Sequence, residues 1–140
     1  MNYQRFLNYF NTHDNYSVSS GMQITELSEG YARVEIDLGK SSTNYMGIMH
    51  GGLYGTMADI AGGTAAISYG SRCVTLNSHI DYIKPAKSGH VTAEGRVIAR
   101  GKTLIRSEVK IFGENGTVYC RAYIVMYILS QKEEMLFDDI

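Results

Sequence analysis

Residues 51–69, GGLYGTMADIAGGTAAISY, break the rhythm of the chain on either side of them. Leu53, Met57, Ile60, Thr64 and Ile67 recur at helical spacing, which predicts one long helix with those side chains as its core face. The opposite face is unusual. Gly52, Gly55, Thr56, Gly62, Gly63 and Ala66 all project within about a third of a turn of Asp59 at the 3.6-residue period, and all are small. A glycine inside a helix costs about 0.5–1 kcal/mol relative to alanine. Gly55, Gly62 and Gly63 on one face therefore imply that something comes close there, either a ligand or a neighbouring backbone. A mid-helix aspartate ordinarily just points to water. In the middle of a small-residue groove, Asp59 becomes a candidate reactive carboxylate.

Outside this segment the period is two. Ala32, Val34, Ile36 and Leu38 alternate with Arg33, Glu35 and Asp37, which predicts a half-buried strand over 31–38. It pairs as a hairpin with a strand over 22–27 through Ser28-Glu29-Gly30. Four more strands are expected over 73–83, 90–100, 102–112 and 117–129. In the first of these, Thr75, Asn77, His79 and Asp81 form a polar face against Val74, Leu76, Ile80 and Tyr82, so His79 reads as an interface or core-edge residue. Tyr3, Phe6, Leu7 and Phe10 predict a short amphipathic N-terminal helix. The charged tail, 131–140, is expected to fray.

One helix cannot cover both faces of six strands. The expectation is an α+β fold, a curved antiparallel sheet wrapped around the central helix, with Tyr119, Arg121, Tyr123 and Tyr127 on its outer face. Nothing marks a domain boundary, so residues 1–140 are expected to form one domain with a core over about 20–129.

Composition narrows the function. At 44% hydrophobic and 19% charged the chain reads as globular. A net charge of −1 argues against a general nucleic-acid binder. Cys73 and Cys120 form no CxxC pair, and His13, His50, His79 and His90 have no metal-ligand spacing, so two reduced thiols and no metal are expected. The N-terminus makes a poor signal peptide and no stretch has the length of a membrane helix, which predicts a cytoplasmic protein.

Just before the long helix stands Asn44-Tyr45-Met46-Gly47-Ile48-Met49-His50-Gly51-Gly52. Two glycines at a helix start leave backbone N–H groups uncovered, and with the helix dipole these favour negative charge. The developing oxyanion of an acyl transfer is such a charge. A lone Gly-Gly more often makes only a tight turn.

Asn44, Gly47, His50-Gly51-Gly52 and then Asp59, with Tyr82-Ile83-Lys84-Pro85-Ala86 and Gly101-Lys102-Thr103 further on, together resemble the hotdog-fold acyl-CoA thioesterases of the phenylacetate-pathway (PaaI-like) type, over roughly residues 20–128. The resemblance implies a hotdog fold and hydrolysis of an acyl-CoA to free acid and CoA, with no cofactor because coenzyme A is part of the substrate. It implies that Asp59 is general base or nucleophile, that the Gly52 N–H binds the thioester carbonyl, that Asn44 positions water or that carbonyl, and that His50 orders the loop. A hydroxyl on the third strand often completes such a site, and Thr75 is the nearest match. Tyr45, Met46, Met49, Tyr54 and Met57 are adaptable residues near the site, compatible with aryl or medium-chain acyl groups. Around it, Gly51, Arg100, Lys102 and Lys84, and less strongly Lys87, are expected to hold the substrate, the basic groups on the CoA phosphates.

Gly52 and Asp59 lie seven residues apart, about 10 Å along a helix, too far to serve one carbonyl. A homodimer or a dimer of dimers is therefore expected, as in the family, where the site forms between two subunits. Hotdog domains also serve as acyl-CoA sensors. Those usually carry a DNA-binding segment, for which the residues before 20 leave no room, and the intact Asp59 favours catalysis. The Asp/His motif of a hotdog dehydratase is not evident.

Overall fold

The computed structural model describes residues 1–131. Its N-terminal helix α1 (Tyr3–His13) starts on Asn2, whose side chain accepts the Arg5 N–H. A second short helix, α2 (Asn15–Ser20), follows where the sequence reading placed none. It is held by its ends: the Asp14 carboxylate accepts the Ser17 N–H and hydroxyl, and Gly21, at φ 82°, closes it. The strands are β1 (Gln23–Ser28), β2 (Tyr31–Asp37), β3 (Arg72–Tyr82), β4 (His90–Arg100), β5 (Leu104–Gly113) and β6 (Val118–Ser130), with the long helix α3 (Gly51–Ile67) between β2 and β3. They form one antiparallel sheet in the order β1-β2-β4-β5-β6-β3, and α3 touches every strand of it. This is the expected hotdog arrangement. The expected tail lies outside the described residues, apart from Gln131, whose side chain bonds the Ser71 hydroxyl.

The helix meets the sheet on a different stripe from the one its periodicity suggests. Leu53, Met57 and Thr64 are buried as expected, but Ile60 and Ile67 are only half-buried. Ala58, Ala61 and Ala65 have no exposed surface. The closest approach is at Gly95 of β4, where a Cβ would stand 2.3 Å from the Ala61 carbonyl oxygen. Next to it the Ser107 hydroxyl donates to the Gly62 carbonyl at 2.9 Å, and a Cβ on Gly62 would come within 2.7 Å of Ile124. Gly63 lies against Met126. The small residues opposite the expected core face thus divide. Gly62 makes room for the protein's own sheet, Gly63 lies between Met126 and a cavity, and Thr56 and Asp59 border that same cavity.

Strict alternation fails in β3. Thr75 pairs with Met126 and Asn77 with Val125, so Leu76 is an extra residue, a β-bulge. The bulge resets the parity, so that Thr75, Ile80 and Tyr82 all reach toward α3, where alternation would put Thr75 on the opposite face from the other two. Val74 and Leu76 are left 47% and 56% exposed on the edge of the sheet. On β6, Arg121, Tyr123 and Tyr127 face outward as expected, but Tyr119 is half-buried beside Gly113.

Across the β2–β4 pair, His90 Nδ1 lies 2.7 Å from Asp37 and Nε2 lies 2.8 Å from Glu35. Only an imidazolium donates from both nitrogens. The hydrogen bonds from Asp37 and then Glu35 raise the His90 pKa, while the Thr25 hydroxyl, ahead of His90, lowers that of Glu35.

Two outcomes follow from this packing. Gly95→Ala forces α3 off the sheet, because the new methyl meets backbone rather than a movable side chain, and it should cost about 3 kcal/mol in urea denaturation at fixed protein concentration. The raised His90 pKa gives stability that is complete below the unfolded value of about 6.5 and is lost as pH rises through the folded value. Glu35 acts in the opposite sense, its contribution being lost as pH falls through its lowered pKa. The His90 contribution should therefore show as a decline in thermal midpoint as pH rises through its raised pKa, and His90→Gln should flatten that decline.

Candidate active site

Asp59 sits half-buried midway along α3. The Thr75 hydroxyl, delivered by the bulged part of β3, donates to Asp59 Oδ1 at 2.6 Å. Asp59 Oδ2 has no hydrogen-bond partner among the described residues and borders a cavity of about 450 Å³ between α1, α3 and β3. The structure thus joins Asp59 and Thr75, which the sequence paired only through the resemblance. Cys73 also lines this cavity, and burial pushes its thiol up, so it supplies no thiolate nucleophile there. Cys120 is pushed up by burial to about 11.

The second cluster lies at the start of α3. His50 is the N-cap, and its Nδ1 accepts the Gly52 N–H at 2.9 Å, which puts the proton of the neutral ring on Nε2. The donor expected to face a substrate is therefore already engaged. The Gly51 N–H has no partner among the described residues. Asn44 Oδ1 accepts the Met46 and Ile48 N–H groups at 3.0 and 3.3 Å, folding the loop, and its amide nitrogen has no partner among the described residues.

The Tyr82–Ala86 block braces this turn. Tyr82 donates its hydroxyl to the Gly51 carbonyl at 3.0 Å and meets Tyr54 edge-on at 5.6 Å between centroids. The Ala86 N–H donates to the Tyr54 hydroxyl at 3.0 Å, and the Ala86 carbonyl accepts the Met49 N–H at 2.8 Å. A cavity of about 280 Å³ opens here beside Asn44, Gly51, Tyr82 and Lys84, and it shares no lining residue with the cavity at Asp59.

The family model described as the thioesterase superfamily matches residues 46–120, from the loop before Gly51 to the start of β6. The chain belongs to the thioesterase superfamily. An inferred esterase of Saccharolobus solfataricus is 32% identical over 113 residues, 79% of this chain and 81% of that one. A hypothetical thioesterase of Streptococcus pneumoniae, solved with coenzyme A, is 32% identical with a TM-score of 0.75, over 79% of this chain and 90% of that one. That protein has also been solved as two alanine variants, one at an aspartate and one at a threonine sixteen positions later. The E. coli PaaI protein from the phenylacetic acid degradation operon has a TM-score of 0.84 over 91% of this chain and 93% of its own; at 22% identity it shows the fold alone.

Other expected site residues of this thioesterase-superfamily chain fall elsewhere. Lys84 borders the cavity at Gly51, its N–H bonded to Tyr119 near the start of β6. The Lys102 carbonyl accepts from Gln131, just past the end of β6, and the Arg100 guanidinium lies 3.9 Å over the Tyr69 ring beyond the C-terminus of α3. The thirteen residues of β6 separate the two ends by about 40 Å. Within one chain these basic groups do not form a single rim. Met57 is fully buried and belongs to the core, whereas Met49 and Tyr54, at 2% and 4% exposed, line the cavity at Gly51, and Tyr45 and Met46 stand exposed on the loop. The lining that sequence reasoning missed is Phe6 and Phe10 of α1. Their helical spacing showed an apolar face without showing what it covers. Among the described residues no group of three His, Cys, Asp or Glu side chains is placed to hold a metal, and no helix is long and apolar enough to cross a membrane.

Tyr54→Phe leaves the buried Ala86 N–H without an acceptor. It should cost about 2 kcal/mol in urea denaturation, whereas Tyr45→Phe, at an exposed position, should cost nothing measurable.

Proposed function

We propose that the chain hydrolyses an acyl-CoA thioester with Asp59 as the reactive carboxylate. The observation that carries this reading is the Thr75–Asp59 hydrogen bond at the wall of a cavity. One carboxylate oxygen is fixed by the hydroxyl, and Oδ2 is left to face a substrate. The aspartate and threonine replaced in the Streptococcus pneumoniae structures have the same sixteen-residue spacing as Asp59 and Thr75, and the coenzyme A bound to that protein supports a CoA ester as substrate. A thioester is already activated, so a carboxylate and an oxyanion site suffice without a triad. Oδ2 either removes a proton from the attacking water or attacks the thioester carbon itself. Single turnover in ¹⁸O-labelled water separates the two, because only nucleophilic attack puts label into Asp59.

The oxyanion site in this proposal is the start of α3: the Gly51 N–H, the Gly52 N–H shared with His50, and the Asn44 amide. That cluster lies about 10 Å from Asp59 along the helix and lines a separate cavity. One chain thus carries two half-sites, and a second copy supplies the missing half. Edge strand β3, with Val74 and Leu76 exposed, is the surface for that pairing. The same pairing would bring Lys84 of one copy toward Arg100 and Lys102 of the other, as a grip on the CoA phosphates.

Asp59→Asn keeps the side-chain size and removes the base. It should lower kcat by at least about a thousandfold, with binding of a non-hydrolysable acyl-CoA retained. Thr75→Val, which only frees Oδ1, should cost about ten- to a hundredfold. Thiol release and equilibrium binding, measured separately, check both. Wild-type turnover by Asp59→Asn overturns the mechanism. Binding without hydrolysis by the unmodified protein would make it a non-catalytic acyl-CoA-binding module. Light scattering across a dilution series tests the shared site, which a fully active monomer refutes.

A further inference from the structure

The cavity in front of Asp59 differs in chemistry from one wall to the next. Away from Asp59 and Thr75 it is walled by Phe6 and Phe10 of α1, Ile60 and Ile67 of α3, Val74 of β3 and Met126 of β6. Phe6 and Phe10 stack with centroids 5.9 Å apart. The wall they form is fixed. The Asn11 amide both donates to the Ile24 carbonyl and accepts the Ile24 N–H, at 2.8 and 2.9 Å, and the Tyr3 hydroxyl donates to the Ser68 carbonyl at 3.1 Å. Phe6 is 7% exposed and belongs to the core. Phe10, one turn later, is half-buried and lines the cavity.

Charge is distributed as selectively as shape. No lysine, arginine or histidine lines the cavity, and its two charged groups are the carboxylates of Asp59 and Asp14. Asp14 is held in place by the Ser17 N–H and hydroxyl, so it cannot swing out to solvent without uncapping α2. An acyl chain ending in a carboxylate would lie along a largely apolar wall that already carries two carboxylates, with no cation to pair it. A neutral apolar chain gains about fourfold in affinity for each methylene buried. The volume of about 450 Å³ is about fifteen water-sized units at ~30 Å³ each, room for a phenyl ring or a medium-length chain.

We propose that this cavity is the acyl subsite, that it admits uncharged apolar acyl groups and rejects anionic ones, and that Phe10 of α1 sets the length it accepts. The proposal rests on the reading of Asp59 as the reacting carboxylate. It assigns the N-terminal helix a specificity role that the superfamily match, which begins at residue 46, does not reach.

The test is a kcat/KM series over acetyl-, butanoyl-, hexanoyl-, octanoyl-, decanoyl-, phenylacetyl- and glutaryl-CoA for wild type, Phe10→Ala and Phe10→Trp. Wild type should favour hexanoyl or phenylacetyl over acetyl by at least about tenfold, and pentanoyl, added as the neutral match, over glutaryl by at least about tenfold. Phe10→Ala should move the optimum about two carbons longer and Phe10→Trp should shorten it. Phe10→Leu, which keeps contact with Phe6, replaces Phe10→Ala if that variant melts too low to assay. Equal rates on glutaryl and pentanoyl esters, or length profiles that run parallel in all variants, overturn the proposal. If wild type hydrolyses none of the esters, the thioesterase reading fails by itself. The subsite is then judged by calorimetry with thioether analogues, where pentyl-CoA should bind at least about tenfold more tightly than its ω-carboxylate counterpart and equal affinity overturns it.

Discussion

The contact between the backbone of α3 and Gly95 of β4 governs the rest of the architecture. A helix normally stands off a sheet by the length of its side chains. Here the Ala61 carbonyl occupies the space a β-carbon would fill. At this contact the helix residues must be small, as Ala58, Ala61, Gly62 and Ala65 are, while Leu53 and Met57 fill the core nearer the start of the helix and the strands supply Ile105, Ile111 and Ile124. Because α3 lies so deep, all six strands reach it, while one flank of the helix stays uncovered. The Ser107 hydroxyl bonded to the Gly62 carbonyl fixes the helix along its axis as well as in depth.

That position decides where Asp59 can be. It lies on the flank the sheet leaves uncovered, within reach of edge strand β3. The bulge at Leu76 then turns Thr75 inward to meet it. The depth of the helix and the parity of the edge strand are both needed. With an unbulged β3 that kept Ile80 packed at Gly55, Thr75 would point away from α3 and leave the carboxylate without its donor.

The start of α3 is set by a different device. His50 closes the first turn onto Gly52, and the chain of contacts from Tyr82 through Tyr54 to Ala86 and Met49 locks the preceding loop against the end of β3. Asn44 spends its carbonyl oxygen on the same loop. The two clusters sit on one rigid helix, so their spacing cannot close by motion within a chain. This rigidity is why the proposed mechanism calls on a second copy.

The sequence by itself determined the six strands and the central helix in their order, though not the short α2, and it singled out Asp59 and the His50-Gly51-Gly52 turn as candidates. Periodicity and helix-start chemistry are local properties, written in consecutive residues. The PaaI-like resemblance, carried by motif spacing, supplied Thr75. Tertiary structure alone decided which face of α3 is core. Hydropathy favours Ile60 and Ile67, but close packing rewards the small Ala58, Ala61 and Ala65 where two backbones meet. It also decided the bulge in β3, since an extra residue is visible only against the partner strand. The engagement of the Gly52 N–H by His50 depends on a ring orientation that no pattern encodes. The separation of Lys84 from Arg100 and Lys102 came from where the sheet order places the two ends of β6. The aromatic wall of the Asp59 cavity was equally out of reach, because Phe6 and Phe10 meet α3 about fifty residues later in the chain, through a contact that only the folded sheet creates.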